Sequence, residues 1–182
     1  MPLADRIGWF VLFLFTAVGV TLAVMGVAHC QPLSLADKLV AAQHLKGVQH
    51  FKEPAVDERE LANLIVEATH GNPTQSALVL TMASAETGLR ARIAEGRCMP
   101  RECDHGRAVG IVQSHKLQRG ATLREQVEEA ARELKRTTSE CHGLPFPLSA
   151  MRAYGSGGGC YAPIPRETER VELFKRIRRA IQ

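Results

Sequence analysis

From Ile7 to Ala28 the chain runs for 22 residues without a charged side chain, and 17 of them are apolar, Trp9, Phe10, Phe13 and Phe15 included. As a helix this stretch reaches roughly 33 Å at about 1.5 Å per residue, enough for a hydrocarbon core of about 30 Å. It exceeds the apolar centre of a secretory signal, about 7 to 15 residues, so the expectation is an uncleaved transmembrane helix over residues 1–28. Arg6 precedes the run and the next cation is Lys38. That bias keeps the N-terminus in the cytoplasm and exports the rest. Cleavage near Gly26-Val27-Ala28 would release the exported part. Lipidation at Cys30 is disfavoured because His29 is too large for the preceding position. On this reading the protein belongs to the inner membrane, with its bulk in the periplasm or outside the cell, and a protein confined to the cytosol is excluded.

The net charge of +4 falls entirely beyond residue 28, spread along the chain with no basic stripe interleaved with aromatics. Nucleic acid is therefore not an expected partner. The cysteines agree with export: Cys98, Cys103, Cys141 and Cys160 form an even set, and two disulfides suit an oxidising compartment. The preferred pairing is Cys98 with Cys103, closing a tight loop, and Cys141 with Cys160. A metal site using Cys98, Cys103 and His105 is the competing reading, although zinc sites favour shorter, regular spacings. No metal and no cofactor is expected. Cys30 is left over.

Residues 29–56 show no sustained period and read as a tether with one short helix at most. Residues 57–182 read as one mainly α domain. Asp57 and Glu60 suggest a helix start, and Leu61, Leu64, Ile65 and Ala68 share a face until Gly71. Asn72 caps the next helix, Pro73 suits its first turn, and Leu78, Val79, Met82 and Ala85 form its buried stripe up to Gly88. Thr122 and Glu125 repeat the capping pattern ahead of Leu123, Val127, Ala130, Ala131 and Leu134. A shorter helix is expected from Leu148 to Tyr154, and a last one from Glu167, with Val171, Phe174, Ile177 and Ile181 inward and arginines outward. Thr87 to Gly106 is too rich in Gly, Arg and Cys for a core element and reads as a functional loop held by its disulfide.

Glu86 carries the chemistry. Counting back in fours gives Met82 and Leu78, so its carboxyl lies on the apolar face, at the helix C-terminus. Desolvation and the negative end of the helix dipole both oppose ionisation there, the condition a general acid needs. Downstream, Asp104-His105-Gly106-Arg107-Ala108-Val109-Gly110-Ile111-Val112-Gln113 sets two glycines four apart before a buried Ile and a Gln. Ala153-Tyr154-Gly155-Ser156-Gly157 then sets a lone aromatic before a glycine turn.

In this order, a helix-end Glu followed by Thr, a Gly-x-x-Gln segment and a Tyr-x-x-Gly segment resemble the lysozyme-like superfamily, notably soluble lytic transglycosylases and goose-type lysozymes. The resemblance spans roughly residues 72–159 and implies a lysozyme-like helical domain. It implies that Glu86 is the acid/base, that Gly110, Ile111 and Gln113 lie beside the sugar, and that Tyr154 and Gly157 belong to the substrate site. Asp104 is similar to the aspartate that places a water in goose-type enzymes. A turn-forming role for it, hydrogen-bonding its own backbone, stands beside that one. The chain departs from the pattern at Gly155, where Asn is usual, and at Ser114, where an apolar residue is common.

The implied activity is cleavage of the MurNAc-GlcNAc β-1,4 bond of peptidoglycan, as a lytic transglycosylase forming 1,6-anhydro ends or, with Asp104 holding water, as a hydrolase. The rival expectation is a non-catalytic peptidoglycan-binding or scaffold module with a partner in an envelope complex.

Overall fold

The computed structural model describes residues 32–49, 51–156 and 159–182. The run from Ile7 to Ala28, Cys30 and Gly157 lie outside the described residues. Within them the chain is mainly helical: seven α-helices, two 3-10 turns and no strand. None of these helices is long and apolar enough to cross a membrane.

Three of the helix starts follow directly from side-chain chemistry. Asp57 accepts the amide of Glu60 and opens α2, Glu58–Ala68. Asn72 accepts the amides of Thr74 and Gln75 and opens α3, Pro73–Thr87, which stops at Gly88 in the left-handed conformation. Thr122 and Glu125 form the reciprocal capping box of α5, Leu123–Glu140. Before them comes α1, Leu35–Gln43, and between them a single turn, α4, Ala91–Ala94. Helix α6 spans Leu148–Ser156 and α7 spans Glu167–Ile181.

Helix α3 is the central element. Its residues from Ser76 to Ser84 are all buried, so the single apolar stripe expected for it widens to the whole circumference. Helices α7, α5 and α2 pack around it. From α7 come Leu173, Phe174, Ile177 and Ile181. The outward arginines expected on this helix have one exception: Arg170 falls on the same face and is buried.

The described part of the expected tether, from residue 32 on, packs into the domain. Ser34 builds a capping box for α1, and Leu39, Ala42 and Val48 are completely buried in the common core. Ser84 Oγ donates to the Val48 carbonyl at 2.6 Å, and the amides of Val56 and Ala91 tie residues 54–56 to the chain after α3. The compact unit therefore begins at Leu33 rather than at residue 57. Nine residues of α1 are too few to show a clear period in the sequence.

Both disulfides form as expected, Cys98–Cys103 and Cys141–Cys160. The sulfurs that a metal site would have used are joined to one another. The Thr87 to Gly106 segment is more than a loop, because Leu89 and Ile93 are fully buried and α4 interrupts it.

Candidate functional site

Glu86 sits in the last turn of α3, one residue before a threonine that fixes the neighbouring segment. Thr87 Oγ1 donates to the carbonyls of Ala83 and Ile111, both at 3.0 Å, which bolts the Gly110–Gln113 turn to the end of the helix. That turn is closed at its base by paired hydrogen bonds between Val109 and Ser114, at 2.9 and 3.0 Å, and inside by Gln113 N–H to Gly110 C=O.

Gly110 is required there for two reasons. Its φ of +76° is a region L side chains rarely adopt, and a Cβ would stand 2.3 Å from the Gln126 side chain. Gln126, fully buried on α5, accepts the Ile111 amide at 2.8 Å and donates to the carbonyls of Ala94 and Ala121. Gly110 and the completely buried Ile111 thus anchor the turn to α5 through Gln126, and neither stands in the wall of the neighbouring cleft.

That cleft has a volume of about 700 Å³. Glu86, Asp104, Gln113 and Tyr154, four residues singled out by the sequence, share its walls. The Tyr154 hydroxyl donates to the Val112 carbonyl at 2.9 Å, not to Glu86. Burial, followed by the charges of Glu86, Glu129 and Glu133, pushes the phenol well above its ordinary value, so it stays a donor. Gln113 Nε2 donates to the Gly110 carbonyl at 3.0 Å and rests 3.5 Å from the Cys103 sulfur, which braces the turn. Asp104 is half exposed and pairs with Arg107 at 3.1 Å, with His115 at 3.8 Å.

Glu86 has a partner that the sequence reading missed. Arg170 Nη1 donates to its Oε1 at 2.6 Å, and the two side chains are only 10% and 19% exposed, arginine first. Oε2 has no hydrogen-bond partner among the described residues. A spacing signal did exist: Arg170 lies four residues before Phe174 and seven before Ile177, on the buried stripe of α7.

The cleft also holds charges the sequence reading left out. Glu133 of α5 lies in its wall, and hydrogen bonds from Arg136, with those from Lys116, draw its carboxyl down to about 2. Glu102 is also held at about 2, by Arg92 first, then by the Met99 amide and Arg90. Arg101, Lys116 and Arg136 line the same cleft, the last two paired directly with Glu133. Taken as chemistry, the cleft combines one carboxyl with a free oxygen, a neutral phenol, a carboxamide and paired charges at its rim. Such a site suits a polar, uncharged or zwitterionic ligand better than a strongly charged one. Among the described residues, no cluster of His, Cys, Asp and Glu has the makings of a metal site. No protein-family model, no curated protein and no solved structure matches the chain.

Proposed function

We propose that the chain cleaves the β-1,4 bond between N-acetylmuramic acid and N-acetylglucosamine in peptidoglycan, acting as a lytic transglycosylase of the lysozyme-like kind at the outer face of the membrane. The observation that carries this reading is the meeting of Glu86, Gln113 and Tyr154, distant in sequence, on one cleft of about 700 Å³. In the reaction, Glu86 Oε2 gives its proton to the departing oxygen of the glycosidic bond as that bond breaks. The C6 hydroxyl of the muramic acid then attacks C1, a C6–O–C1 bond closes the 1,6-anhydro ring, and the hydroxyl proton returns to Glu86. Arg170 holds Oε1, so the carboxyl keeps one orientation through both proton transfers. Tyr154 fixes the Val112 backbone beside it. Asp104, half exposed and turned to Arg107, would hold a water only in the hydrolytic version.

The test is to incubate the protein and its Glu86→Gln variant with purified sacculi and to weigh the released sugars by mass spectrometry. Anhydro ends from the parent and none from the variant are expected. Equal release by both ends the proposal, and reducing ends move the reading to hydrolysis. A second reading, a non-catalytic glycan-binding module, is favoured by one observation: Arg170 engages the carboxyl meant to act as acid. The departure at Gly155 points the same way. Sacculus binding that persists in Glu86→Gln, with no product from either protein, would establish it.

A further inference from the structure

Away from the Glu86 cleft, α1 and α7 lie side by side and run in opposite directions. Lys38 Nζ donates to the backbone oxygen of Gln182 at 2.8 Å, and Arg176 Nη1 donates to the Lys46 carbonyl at 2.7 Å. The inner faces of the two helices are spent on the core, through Leu39, Ala42, Ile177 and Ile181. Both bonds therefore cross the outer edge of the seam, and they set Lys38, Lys46 and Arg176 on one exposed strip. Arg179, three residues after Arg176, and Lys175, four before Arg179, continue it along α7. None of these five cations lines the Glu86 cleft.

The strip stays basic because backbone oxygens, not carboxylates, hold most of its cations. Arg179 Nε donates to the Lys175 carbonyl at 3.2 Å, and the Lys46 ammonium has no partner among the described residues. The carboxylates nearby are few and taken. Glu172 is held by Lys175 at 2.7 Å, with Arg179 and Arg176 adding to the pull on it. Asp37 is bound by Ser34 and by Arg59, and Glu169, further back on α7, stands opposite Arg166. Five cations thus meet one carboxylate, Glu172, a surplus equal to the +4 of the whole chain. Exposed apolar side chains stand at the ends of the strip. Leu33, 64% exposed, precedes the Ser34 cap of α1, and Phe51, 47% exposed, shares a groove wall with Gly47 and Arg176. Cations along a helical surface with apolar side chains at its margin suit a face that lies on anionic lipid headgroups.

We propose that the α1–α7 strip docks the domain on a bilayer surface that carries anionic phospholipid headgroups. The inference rests on the reading of residues 7–28 as a membrane anchor and is independent of what the Glu86 cleft cleaves. Leu33 stands five positions after Ala28, a contour of at most about 18 Å when fully extended. Lipid is therefore the anionic surface that so short a connection keeps within reach, whereas a soluble polymer has to arrive by diffusion. Headgroup phosphates take the N–H groups that the backbone oxygens leave open, and Leu33 and Phe51 enter the headgroup layer. The strip lies on the same helix as Arg170, the partner of Glu86, so docking holds the cleft in one orientation to the bilayer.

The experiment places the full chain in lipid nanodiscs, one set of phosphatidylcholine alone and one containing phosphatidylglycerol, and follows acylation of each lysine by a water-soluble reagent with mass spectrometry. Lys38, Lys46 and Lys175 should react about fivefold more slowly beside phosphatidylglycerol, the scale of one cation at an anionic surface, while Lys116 and Lys135 react equally in both. The difference should vanish at about 1 M salt, where the screening length is about 3 Å, and in the double variant Arg176→Glu, Arg179→Glu. Equal rates in the two lipids overturn the inference and leave the anchor reading standing, as does protection that survives salt or the double variant. A chain that does not enter nanodiscs overturns both together. Protection by a soluble polyanion in detergent, with none from phosphatidylglycerol, assigns the strip to a polymer and overturns docking on lipid. The lipid and salt comparisons decide the matter even where the variant fails to fold.

Discussion

Gly110 offers the sharpest test of how the site is built. Substitution by alanine places a Cβ at φ +76°, which costs roughly 1–2 kcal/mol for a left-handed L residue. The same Cβ lands 2.3 Å from both Cδ and Oε1 of Gln126, and a fully buried side chain with three hydrogen bonds has nowhere to retreat. Displacing it adds an overpacking cost of about 1–3 kcal/mol. It also strands the Ile111 amide, at a comparable cost. The three terms sum to about 3–8 kcal/mol, so a loss of about 5 kcal/mol is expected, or roughly 15 °C in Tm for a chain of this length. Gly120 is the internal control: its φ is +89°, yet nothing lies within 4 Å of a Cβ there. Gly120→Ala should therefore lose only the strain, about 1–2 kcal/mol. Denaturant titrations of both variants, repeated in a Gln126→Ala background, separate the two causes. With Gln126 truncated, the Gly110→Ala penalty should fall to that of Gly120→Ala, a coupling of about 3 kcal/mol. A Gly110→Ala penalty matching Gly120→Ala in the parent protein, or one unchanged by removing Gln126, refutes the reasoning.

The paired carboxyl of Glu133 predicts acid sensitivity. Its folded value of about 2 lies below the unfolded 4.5, so its contribution is complete above pH 4.5 and is lost as pH falls toward 2. Because Arg136 is half exposed, roughly 1–2 kcal/mol is expected, and Glu133→Gln should flatten the stability profile between pH 4.5 and 2 in urea titrations. Replacing Cys141 and Cys160 together by serine opens a 19-residue link and should lower stability by about 3 kcal/mol. Opening the 5-residue Cys98–Cys103 link should cost about 2 kcal/mol. Calorimetric melts of the two double variants would rank them, and the reverse order would count against a loop-closure origin. Tyr154→Phe strands the Val112 carbonyl and should cost about 1 kcal/mol by chemical denaturation, while an unchanged midpoint would show the hydrogen bond to be dispensable.

What the sequence made legible was whatever a short segment decides for itself. The caps at Asp57, Asn72 and Thr122, the glycine stop at Gly88 and the inward stripe of α7 all depend on neighbours within four residues, and all hold. So do both disulfides, since five residues leave Cys98 little choice but Cys103. Glu86, Asp104, Gln113 and Tyr154 share the walls of one cleft, a juxtaposition that periodicity alone does not encode. What failed depended on distant packing. Helix α1 is too short to announce itself, yet the floor it lays under α2 and α7 buries Leu39 completely. Gly110 reads as a close approach to sugar, but what approaches is Gln126, sixteen residues on.

The Glu86–Arg170 pair unites the two kinds of evidence. A carboxyl on the apolar face of α3 and a guanidinium on the apolar face of α7 are each an anomaly in their own helix, because neither is stable buried alone. Helices α3 and α7 pack against each other, so the two anomalies resolve each other at 2.6 Å. A purely structural pair would be expected to satisfy its donors and acceptors fully, as Arg92 does with Glu53 and Glu102. This one does not: among the described residues Oε2 accepts no hydrogen bond, Arg170 donates to Glu86 through Nη1, and Glu86 stands in the wall of the cleft. Replacing both members by Gln and Met would then conserve much of the packing while removing both charges of the pair. If the pair is only structural, that double variant keeps its stability within about 1 kcal/mol and keeps its glycan binding as well. If the pair serves a ligand, stability is similarly retained, but glycan binding is weakened.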